Sequence, residues 1–171
     1  MSITIGNSKK RVLIALSGGI DSAVSAYLLQ QEGYEVEAAF MKNWSSTKGL
    51  KYDECPWLVD RQDALRVAAF LQIPMHTIDF EKQYEKTVLD YFFKEYSAGR
   101  TPNPDVMCNK EIKLKLLYNW AMDHGYDFLA TGHYAQIKKI KPGEYQLARS
   151  ADEFKDQTYF IYNITTPQLP H

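Results

Sequence analysis

The residues best suited to chemistry stand in one short loop, Ser17 to Ser22, which reads Ser-Gly-Gly-Ile-Asp-Ser. An apolar, β-favouring run precedes this loop, and a helical pattern follows it. Strand, glycine loop and helix together suit a phosphate, because glycines let the backbone come close and the first-turn N–H groups are free donors. The two serine hydroxyls can add hydrogen bonds, and Asp21 can hold a magnesium ion that bridges phosphates. The loop therefore predicts a polyphosphate site.

A second unusual segment runs from Arg100 to Lys110 and reads RTPNPDVMCNK. Its prolines stiffen the backbone and lower the entropy lost when the loop is held in one shape. We expect Cys108 to begin a helix, where the helix dipole and the nearby Lys110 lower the pKa of the thiol. Asp105 acts in the opposite sense on the thiol, but its carboxylate can serve as a general base toward a substrate N–H. A half-buried structural cysteine is the alternative.

Apolar periodicity predicts the elements that must hold these two segments. Four β-favouring runs predict strands at residues 11–16, 35–41, 75–80 and 128–131. A helix follows the first loop, with Val24, Tyr27 and Leu28 on one face. Further helices are predicted at residues 57–71, 84–98 and 109–124, with a short helix start at 156–164. Residues 141–144 read Lys-Pro-Gly-Glu, which predicts the turn of a small β-hairpin between 135–140 and 145–148.

This alternation of strands and helices is typical of an α/β fold, a parallel twisted sheet with helices on both faces. Ligands of such sheets bind at the carboxyl ends of the strands, where the Ser17–Ser22 loop lies. The loop is not a Walker loop, which requires G-x-x-x-x-G-K-[ST]. A dinucleotide-binding dehydrogenase is excluded, because no G-x-G-x-x-G follows the first strand.

The composition narrows the class of protein. A chain of 171 residues with 45% hydrophobic and 24% charged residues is typical of one folded domain. Its formal net charge of −1 predicts no general attraction to nucleic acid or anionic membranes, although Lys110, Lys113 and Lys115 are candidates for a local basic patch. No stretch is apolar and long enough to span a bilayer, so we expect no membrane contact. The cysteines, Cys55 and Cys108, give neither a disulfide framework nor zinc-ligand spacing, which favours a cytoplasmic location.

Five motifs of the chain occur in the order found in the tRNA-specific 2-thiouridylases, and the chain resembles that family from residue 12 to about residue 164. The motifs are SGGIDS (17–22), FMKNW (40–44), AGRTPNPDVMCNKEIK (98–113), ATGHYA (130–135) and KDQTYF (155–160). The first motif by itself is similar to the pyrophosphate loop of ATP pyrophosphatases, which split ATP between its α- and β-phosphates. The resemblance implies a PP-loop ATP-pyrophosphatase domain over residues 1–171. Such a domain adenylates the C2 oxygen of the wobble uridine of tRNA, and sulfur then replaces that oxygen.

The resemblance also implies roles for individual residues. It implies ATP contacts along the first motif and at two later positions, namely Ala15, Leu16, Ser17, Gly18, Gly19, Ile20, Asp21, Ser22, Met41 and Gly132, with Mg²⁺ near Asp21. The flipped-out target uridine would meet Asn103, Pro104 and Asp105, and tRNA would contact Lys155, Asp156 and Gln157. Cys108 matches the nucleophile position of the family. His133 would line the nucleotide site, or would be a structural histidine.

The chain also departs from the family's pattern. The family is longer, with a second catalytic cysteine that carries a persulfide, a central domain and a C-terminal β-barrel, none of which this chain contains. Cys55 lies in the wrong place to be that cysteine. A helix start at residues 165–168 is followed by the end of the chain at His171, so we expect a fragment that binds ATP weakly and does not thiolate tRNA by itself.

Several alternatives stay open at this point. The sulfur would come from a donor protein, either a cysteine desulfurase or a sulfur-relay protein. In a variant of the mechanism, Asp105 and Cys108 help to ligate an iron–sulfur cluster. Outside this family, the chain could be another PP-loop ligase, against which the PNPD-x-x-C loop and the KDQ motif argue, or an ATP-binding module without catalysis.

Overall fold

A parallel sheet of four strands forms the centre of the computed structural model, which describes residues 9–45 and 56–171. The strands lie in the order β3-β2-β1-β4. Their bounds are Arg11–Ala15 for β1, Glu35–Lys42 for β2, Met75–Asp79 for β3 and Phe128–Ala130 for β4. The register pairs Leu13 of β1 with Glu37 of β2 and with Leu129 of β4. All four strands therefore point their carboxyl ends, and the loops after them, toward the same edge of the sheet.

Four helices flank the sheet. The first two are α1, Ile20–Gln31, and α2, Pro56–Leu71. The other two each consist of three consecutive segments with a π-helical middle: α3 is formed by Glu81–Tyr84, Glu85–Leu89 and Asp90–Ser97, and α4 by Pro104–Met107, Cys108–Leu117 and Tyr118–Asp123. A separate antiparallel hairpin, β5 (Ala135–Lys141) and β6 (Glu144–Arg149), precedes a 3₁₀ turn at Thr158–Phe160. Within the residues described, no helix has the length and apolar character needed to cross a bilayer.

Alternate side chains of the strands enter two separate cores, one on each face of the sheet. Ile14 packs with the apolar side of α1 and α2, in a cluster that includes Ala26, Ala64 and Ala68. Leu13 points the other way and packs with Val88 of α3 and with the apolar side of α4, which supplies Ile112, Leu117 and Ala121. This period of two follows from the pleat of a strand. The predicted fold class, a parallel sheet with helices on both faces and a small hairpin, is confirmed.

The predicted boundaries of three helices were wrong. The helix predicted at 109–124 begins one turn earlier, because Asn103 caps it by accepting the Val106 N–H at 3.1 Å and Pro104 fits the first helical position. The helix predicted at 84–98 begins at Glu81, whose N–H bonds to the Asp79 carboxylate at 3.0 Å. The predicted helix start at 156–164 is only a 3₁₀ turn.

The face of α1 that carries Val24, Tyr27 and Leu28 does not enter the core. These three side chains are 49%, 48% and 51% exposed, and α1 is instead buried through Ser22 and Ala26. Small residues on the buried face let the helix lie close to the sheet at the end where the phosphate loop begins. Periodicity alone could not choose between a large apolar face and a small one.

Glu37 is a carboxylate in the sheet that holds three partners. It accepts hydrogen bonds from Arg11 at 3.0 Å and from the hydroxyl of Tyr126 at 2.8 Å, and it pairs with His76 at 2.7 Å. Burial raises the pKa of Glu37, but the hydrogen bonds from His76, Tyr126 and Arg11 outweigh burial and leave the pKa below its ordinary value. The charged form of Glu37 therefore stabilises the fold.

We expect Glu37→Gln to lower the free energy of unfolding by about 1–3 kcal/mol at pH 7, because the buried donors lose a charged acceptor. The pKa of Glu37 is lowered by folding, so its contribution is complete above the pKa of the unfolded carboxyl and disappears as pH falls through the folded pKa. Urea unfolding at a series of pH values measures this difference. The matched control is Glu35→Gln, whose carboxylate is 54% exposed and lies 3.6 Å from Arg11, and whose effect we expect to be below about 0.5 kcal/mol.

Candidate active site

The Ser17–Ser22 loop connects β1 to α1 and is held by its own serines. The hydroxyl of Ser22 donates to the Gly19 carbonyl at 3.0 Å and accepts the Ser17 N–H at 3.3 Å. The hydroxyl of Ser17 lies 3.3 Å from that of Ser22 and accepts the Gly19 N–H at 3.4 Å. No side chain caps the first turn of α1 at Gly19, so the N–H groups there are available to an anion.

Two glycines let other parts of the chain come close to this loop. At Gly18, which has a φ of +84°, a Cβ would lie 2.8 Å from the Asp60 carbonyl oxygen of α2. At Gly132, just after β4, a Cβ would lie 2.6 Å from the Ser22 nitrogen and 2.8 Å from the Asp21 carbonyl carbon. Both distances are shorter than any side chain tolerates, and the neighbours are backbone atoms. Gly18 within the loop and Gly132 after β4 therefore allow the close packing that fixes the loop in place.

A cavity of about 640 Å³ opens at the carboxyl edge of the sheet. Its size is typical of a small-molecule site. Its lining unites segments that are far apart in sequence: the phosphate loop, the end of β2, the start of α2, the middle of α4, the segment after β4 and the segment after the hairpin. Of the residues with predicted roles, those that line it are Ala15, Leu16, Ser17, Asp21, Ser22, Met41, Cys108, Gly132, His133 and Gln157.

Cys108 lies a full turn inside α4, which corrects the prediction that it begins a helix. Burial raises the pKa of the Cys108 thiol, Asp105 raises it further, and Lys113 only partly offsets them. The predicted lowering of this pKa was therefore wrong, because the first turn of α4 is formed by Pro104–Met107, ahead of Cys108, and burial of the thiol outweighs the charge of Lys113. Lys110 does not assist the thiol, since its ammonium group lies 3.4 Å from Glu111. The thiol is protonated at neutral pH in this structure.

The three lysines of the predicted basic patch differ in their surroundings. Lys110 and Lys115 both pair with Glu111, at 3.4 Å and 2.8 Å, and of the three only Lys113 lines the cavity. Because one carboxylate faces two ammonium groups, this part of α4 keeps a net positive charge, and the patch stays a prediction. An ammonium group beside the cavity suits a negatively charged ligand.

His133 follows Gly132 and lines the cavity, with its Nδ1 atom 2.9 Å from the Thr131 hydroxyl. Burial and the nearby Lys113 ammonium group lower the pKa of His133 to about 4. The side chain is therefore a neutral imidazole at physiological pH. It can donate or accept a hydrogen bond toward a ligand but adds no positive charge.

We expect His133 to make the fold sensitive to mild acid. Because folding lowers its pKa, stability is complete above the unfolded value near pH 6.5 and is lost toward pH 4, by up to about 3 kcal/mol. Urea unfolding between pH 7 and pH 4 measures this loss, and His133→Gln should remove most of it. The control variant His124→Gln, at the far end of α4, should retain it; equal acid sensitivity of all three proteins would contradict the assignment.

The KDQ residues are held largely by internal contacts. The Lys155 ammonium group lies 2.9 Å from Asp21 and 4.2 Å from the centre of the Tyr134 ring. Asp156 accepts hydrogen bonds from Arg149, Ser150 and Thr158. Gln157 pairs with the backbone of Tyr134 at 2.9 Å in both directions. These contacts fasten the segment after the hairpin to the mouth of the cavity.

The residues expected to meet a target base lie at the start of α4. Asn103 and Asp105 are exposed, and the amide oxygen of Asn103 is used as the helix cap. Neither residue lines the cavity, while Cys108, one turn further along, does. A ligand that reaches Cys108 from solvent would pass this turn. The predicted roles of Asn103, Pro104 and Asp105 stay predictions.

The donor set at the site differs for the two predicted kinds of metal. Asp21 is one carboxylate beside the phosphate loop, and a magnesium ion there would take its other ligands from phosphates and water, which is usual for this ion. Within the ranges 9–45 and 56–171, no three residues of the His, Cys, Asp or Glu type lie together as a metal site. Asp105 and Cys108 are two of the ligands of the predicted iron–sulfur variant, which takes another from a cysteine further downstream, so that variant stays a prediction and we derive no step through such a cluster. Cys55 falls outside the described ranges.

Sequence reasoning gave no role to Asn43 and placed Lys113 only in a basic patch. Asn43 follows β2, lines the cavity and donates to the Cys108 sulfur, with 3.9 Å between Nδ2 and Sγ. Lys113 lines the cavity from the next turn of α4. Both stand inside quoted motifs, FMKNW and AGRTPNPDVMCNKEIK, so motif membership was the available signal.

Comparison with known proteins identifies relatives of this chain. Christiangramia forsetii has a protein named tRNA-specific 2-thiouridylase MnmA that is 50% identical to this chain over 163 residues, which is 94% of this chain and 41% of the relative. A protein of the same name from Lysinibacillus sphaericus is 49% identical over 171 residues, 100% of this chain and 45% of the relative. The chain therefore spans less than half the length of these curated relatives. Their identity confirms the predicted family resemblance.

A solved structure and a family match complete the comparison. A protein of Methanocaldococcus jannaschii, described as a predicted subunit of tRNA methyltransferase, matches with a TM-score of 0.51 and 19% identity over 72% of this chain and 52% of its own. That likeness shows the fold alone. Residues 10–171 match a family described as tRNA methyl transferase HUP domain. Because this match includes all but the first nine residues, the chain belongs to the family of tRNA methyl transferase HUP domains.

Proposed function

We propose that this chain is the adenylating part of a tRNA-specific 2-thiouridylase, which activates the C2 oxygen of the wobble uridine with ATP so that sulfur can replace it. One observation carries the proposal: the phosphate loop and Cys108 line the same cavity. A phosphate loop beside a thiol suits a reaction in which a nucleotide is split and sulfur chemistry follows at the same atom. Relatives that are 49% and 50% identical to this chain over the matched residues bear this name.

The first step would use the loop and its neighbours. The uridine oxygen attacks the α-phosphorus of ATP, the bond to the β-phosphate breaks, and pyrophosphate leaves. The N–H groups at the start of α1 face the phosphates, and Lys113 adds positive charge on the opposite side of the cavity. A magnesium ion near Asp21 would neutralise charge on the leaving pyrophosphate. Neutral His133 and Met41 line the part of the cavity that remains for the nucleoside.

The second step would transfer sulfur. The outer sulfur of a persulfide, held on a cysteine in the remainder of the protein, attacks C2, and AMP leaves with the original oxygen. The Cys108 thiol then gives its proton to solvent, and the thiolate attacks the carrier's sulfur. The S–S bond breaks, sulfur remains on C2 and a disulfide links the two cysteines. A cysteine desulfurase or sulfur-relay protein would load the persulfide. We place this chemistry in the cytoplasm, where tRNA and ATP are available.

The experiment is isotope exchange between pyrophosphate and ATP, with and without tRNA. We expect exchange that depends on tRNA, because adenylation needs the uridine oxygen. Exchange without tRNA would instead favour another PP-loop ligase, and ATP binding with no exchange would favour a module without catalysis. Mass spectrometry of the tRNA nucleosides separates 2-thiouridine from a methylated uridine, which would be the product if the methyl transferase of the family description were the activity.

A further inference from the structure

Asn43 and Cys108 both line the cavity, and the side chain of Asn43 contacts the Cys108 sulfur. Its backbone follows the last residue of β2, so the end of the sheet fixes its position. The amide nitrogen lies 3.9 Å from the Cys108 sulfur, a long contact at the outer limit for a nitrogen–sulfur hydrogen bond. The amide oxygen is buried and has no hydrogen-bond partner among the residues described.

A buried acceptor without a donor costs about 1–3 kcal/mol, so such an atom calls for an explanation. Among the residues described, the other buried amide oxygen without a hydrogen-bond partner belongs to Asn109. Asn109 is buried under the 3₁₀ turn, where its amide nitrogen donates to the Phe160 carbonyl at 3.3 Å. Asn43, in contrast, is one of the residues that line the cavity. Its oxygen is covered in the free protein, so a ligand supplies the missing donor only when the amide turns toward the cavity.

We propose that Asn43 positions the Cys108 sulfur with its amide nitrogen and reads the imide N–H of a pyrimidine substrate with its amide oxygen. The second part rests on the proposed function, since it needs a uracil ring in the cavity. Uracil carries its N3–H beside C2, the carbon that the sulfur must reach. Cytosine has a lone pair at the same ring position, so an amide oxygen there repels it.

The charges around the Cys108 sulfur make a neutral donor useful. Lys113 favours the thiolate, while Asp105 and burial disfavour it. Tyr84 also lies nearby, and burial together with Cys108 and Asp105 raises its pKa, so it is not a source of negative charge at neutral pH. Asn43 is the neutral donor that the structure aims at the sulfur.

The first test is the rate of Cys108 alkylation by iodoacetamide as a function of pH, on the full chain. We expect Asn43→Ala to raise the pH midpoint by about one unit, because the thiolate loses a hydrogen bond. Asn43→Asp should raise the midpoint further. The aspartate side chain has the size of asparagine, but it lacks the N–H donor and carries a negative charge. The midpoint reports thiolate stability and the high-pH plateau reports access, so a more open site cannot imitate the result.

Asn109→Ala is the matched control. It removes another buried amide whose oxygen has no hydrogen-bond partner. Asn109 is next to Cys108 in the chain, but its amide nitrogen donates to the Phe160 carbonyl and not to the sulfur. We expect it to lower stability and to leave the midpoint unchanged. An unchanged midpoint in both Asn43 variants would overturn the proposed contact, and so would an equal shift in Asn109→Ala.

The second test is protection of Cys108 from alkylation by anticodon stem-loop RNA with uridine or cytidine at the wobble position. We expect uridine RNA to protect the wild type about tenfold better than cytidine RNA, and Asn43→Ala to reduce this preference to about twofold. Asn43→Asp keeps an acceptor and should keep the preference. If the wild type shows no preference for uridine RNA, or if Asn43→Ala keeps the full preference, the proposed recognition of the base by Asn43 is wrong.

The two proposals fail in different ways. If tRNA-dependent pyrophosphate exchange is absent while the Asn43→Ala midpoint shift is present, the proposed function fails and the contact with sulfur stands. If exchange is present while the midpoints and the base preference do not change, this inference fails and the proposed function stands.

Discussion

Gly132→Ala is expected to lower the affinity for ATP about tenfold and the rate of pyrophosphate exchange about a hundredfold, because a displacement of about 1 Å at a reacting group has effects of this size. The new Cβ would lie 2.6 Å from the Ser22 nitrogen and 2.8 Å from the Asp21 carbonyl carbon. Backbone atoms cannot rotate away as a long side chain can, so the phosphate loop itself must move. Isothermal titration with ATP and the exchange assay measure the two losses.

The variant should also lose about 1–3 kcal/mol of stability, the usual cost of excess volume in a packed region. A control must therefore separate lost stability from a displaced loop. Gly143→Ala, in the hairpin turn, imposes strain at a φ of +78° but meets no atom within 4 Å. We expect it to destabilise the protein and bind ATP normally. If Gly132→Ala binds ATP as tightly as Gly143→Ala does, the close approach at Gly132 is not needed for ATP binding.

In the longer protein of which this chain is proposed to be the adenylating part, Cys108→Ser is expected to abolish thiolation, by at least about a thousandfold, while tRNA-dependent pyrophosphate exchange changes by no more than about threefold. A serine hydroxyl fits the half-buried position but cannot attack a disulfide-type sulfur. Adenylation uses the phosphate loop and the uridine oxygen and has no need of the thiol. Nucleoside mass spectrometry and the exchange assay on the same preparation measure the two half-reactions.

Cys55→Ser is the matched control, since the sequence assigns no catalytic part to Cys55, which lies outside the described residues. We expect it to thiolate at the wild-type rate. Loss of exchange together with thiolation in Cys108→Ser would mean that Cys108 supports the fold of the cavity and not the sulfur step. Retention of thiolation would remove Cys108 from the mechanism.

Local sequence determined the fold class of this protein and the order of its elements. The four strands and the four helices follow from apolar periodicity, because burial on one or both sides of an element leaves a repeat that is visible in the chain. The phosphate loop follows from its glycines and hydroxyls, whose conformational and hydrogen-bonding demands are local. Family membership follows from five motifs in a fixed order.

Only the tertiary structure determined the pKa of Cys108 and the side-chain contacts within the site. The pKa of Cys108 rises because the cores beneath α4 bury the thiol, and no spacing along the chain reveals that burial. The pairing of Lys155 with Asp21 joins residues 134 positions apart in sequence. Asn43 reaches Cys108 because β2 ends beside the middle of α4. Sequence patterns determine the type and order of the elements, whereas the buried face of a helix such as α1 and the contacts between elements depend on how the whole sheet and its helices pack.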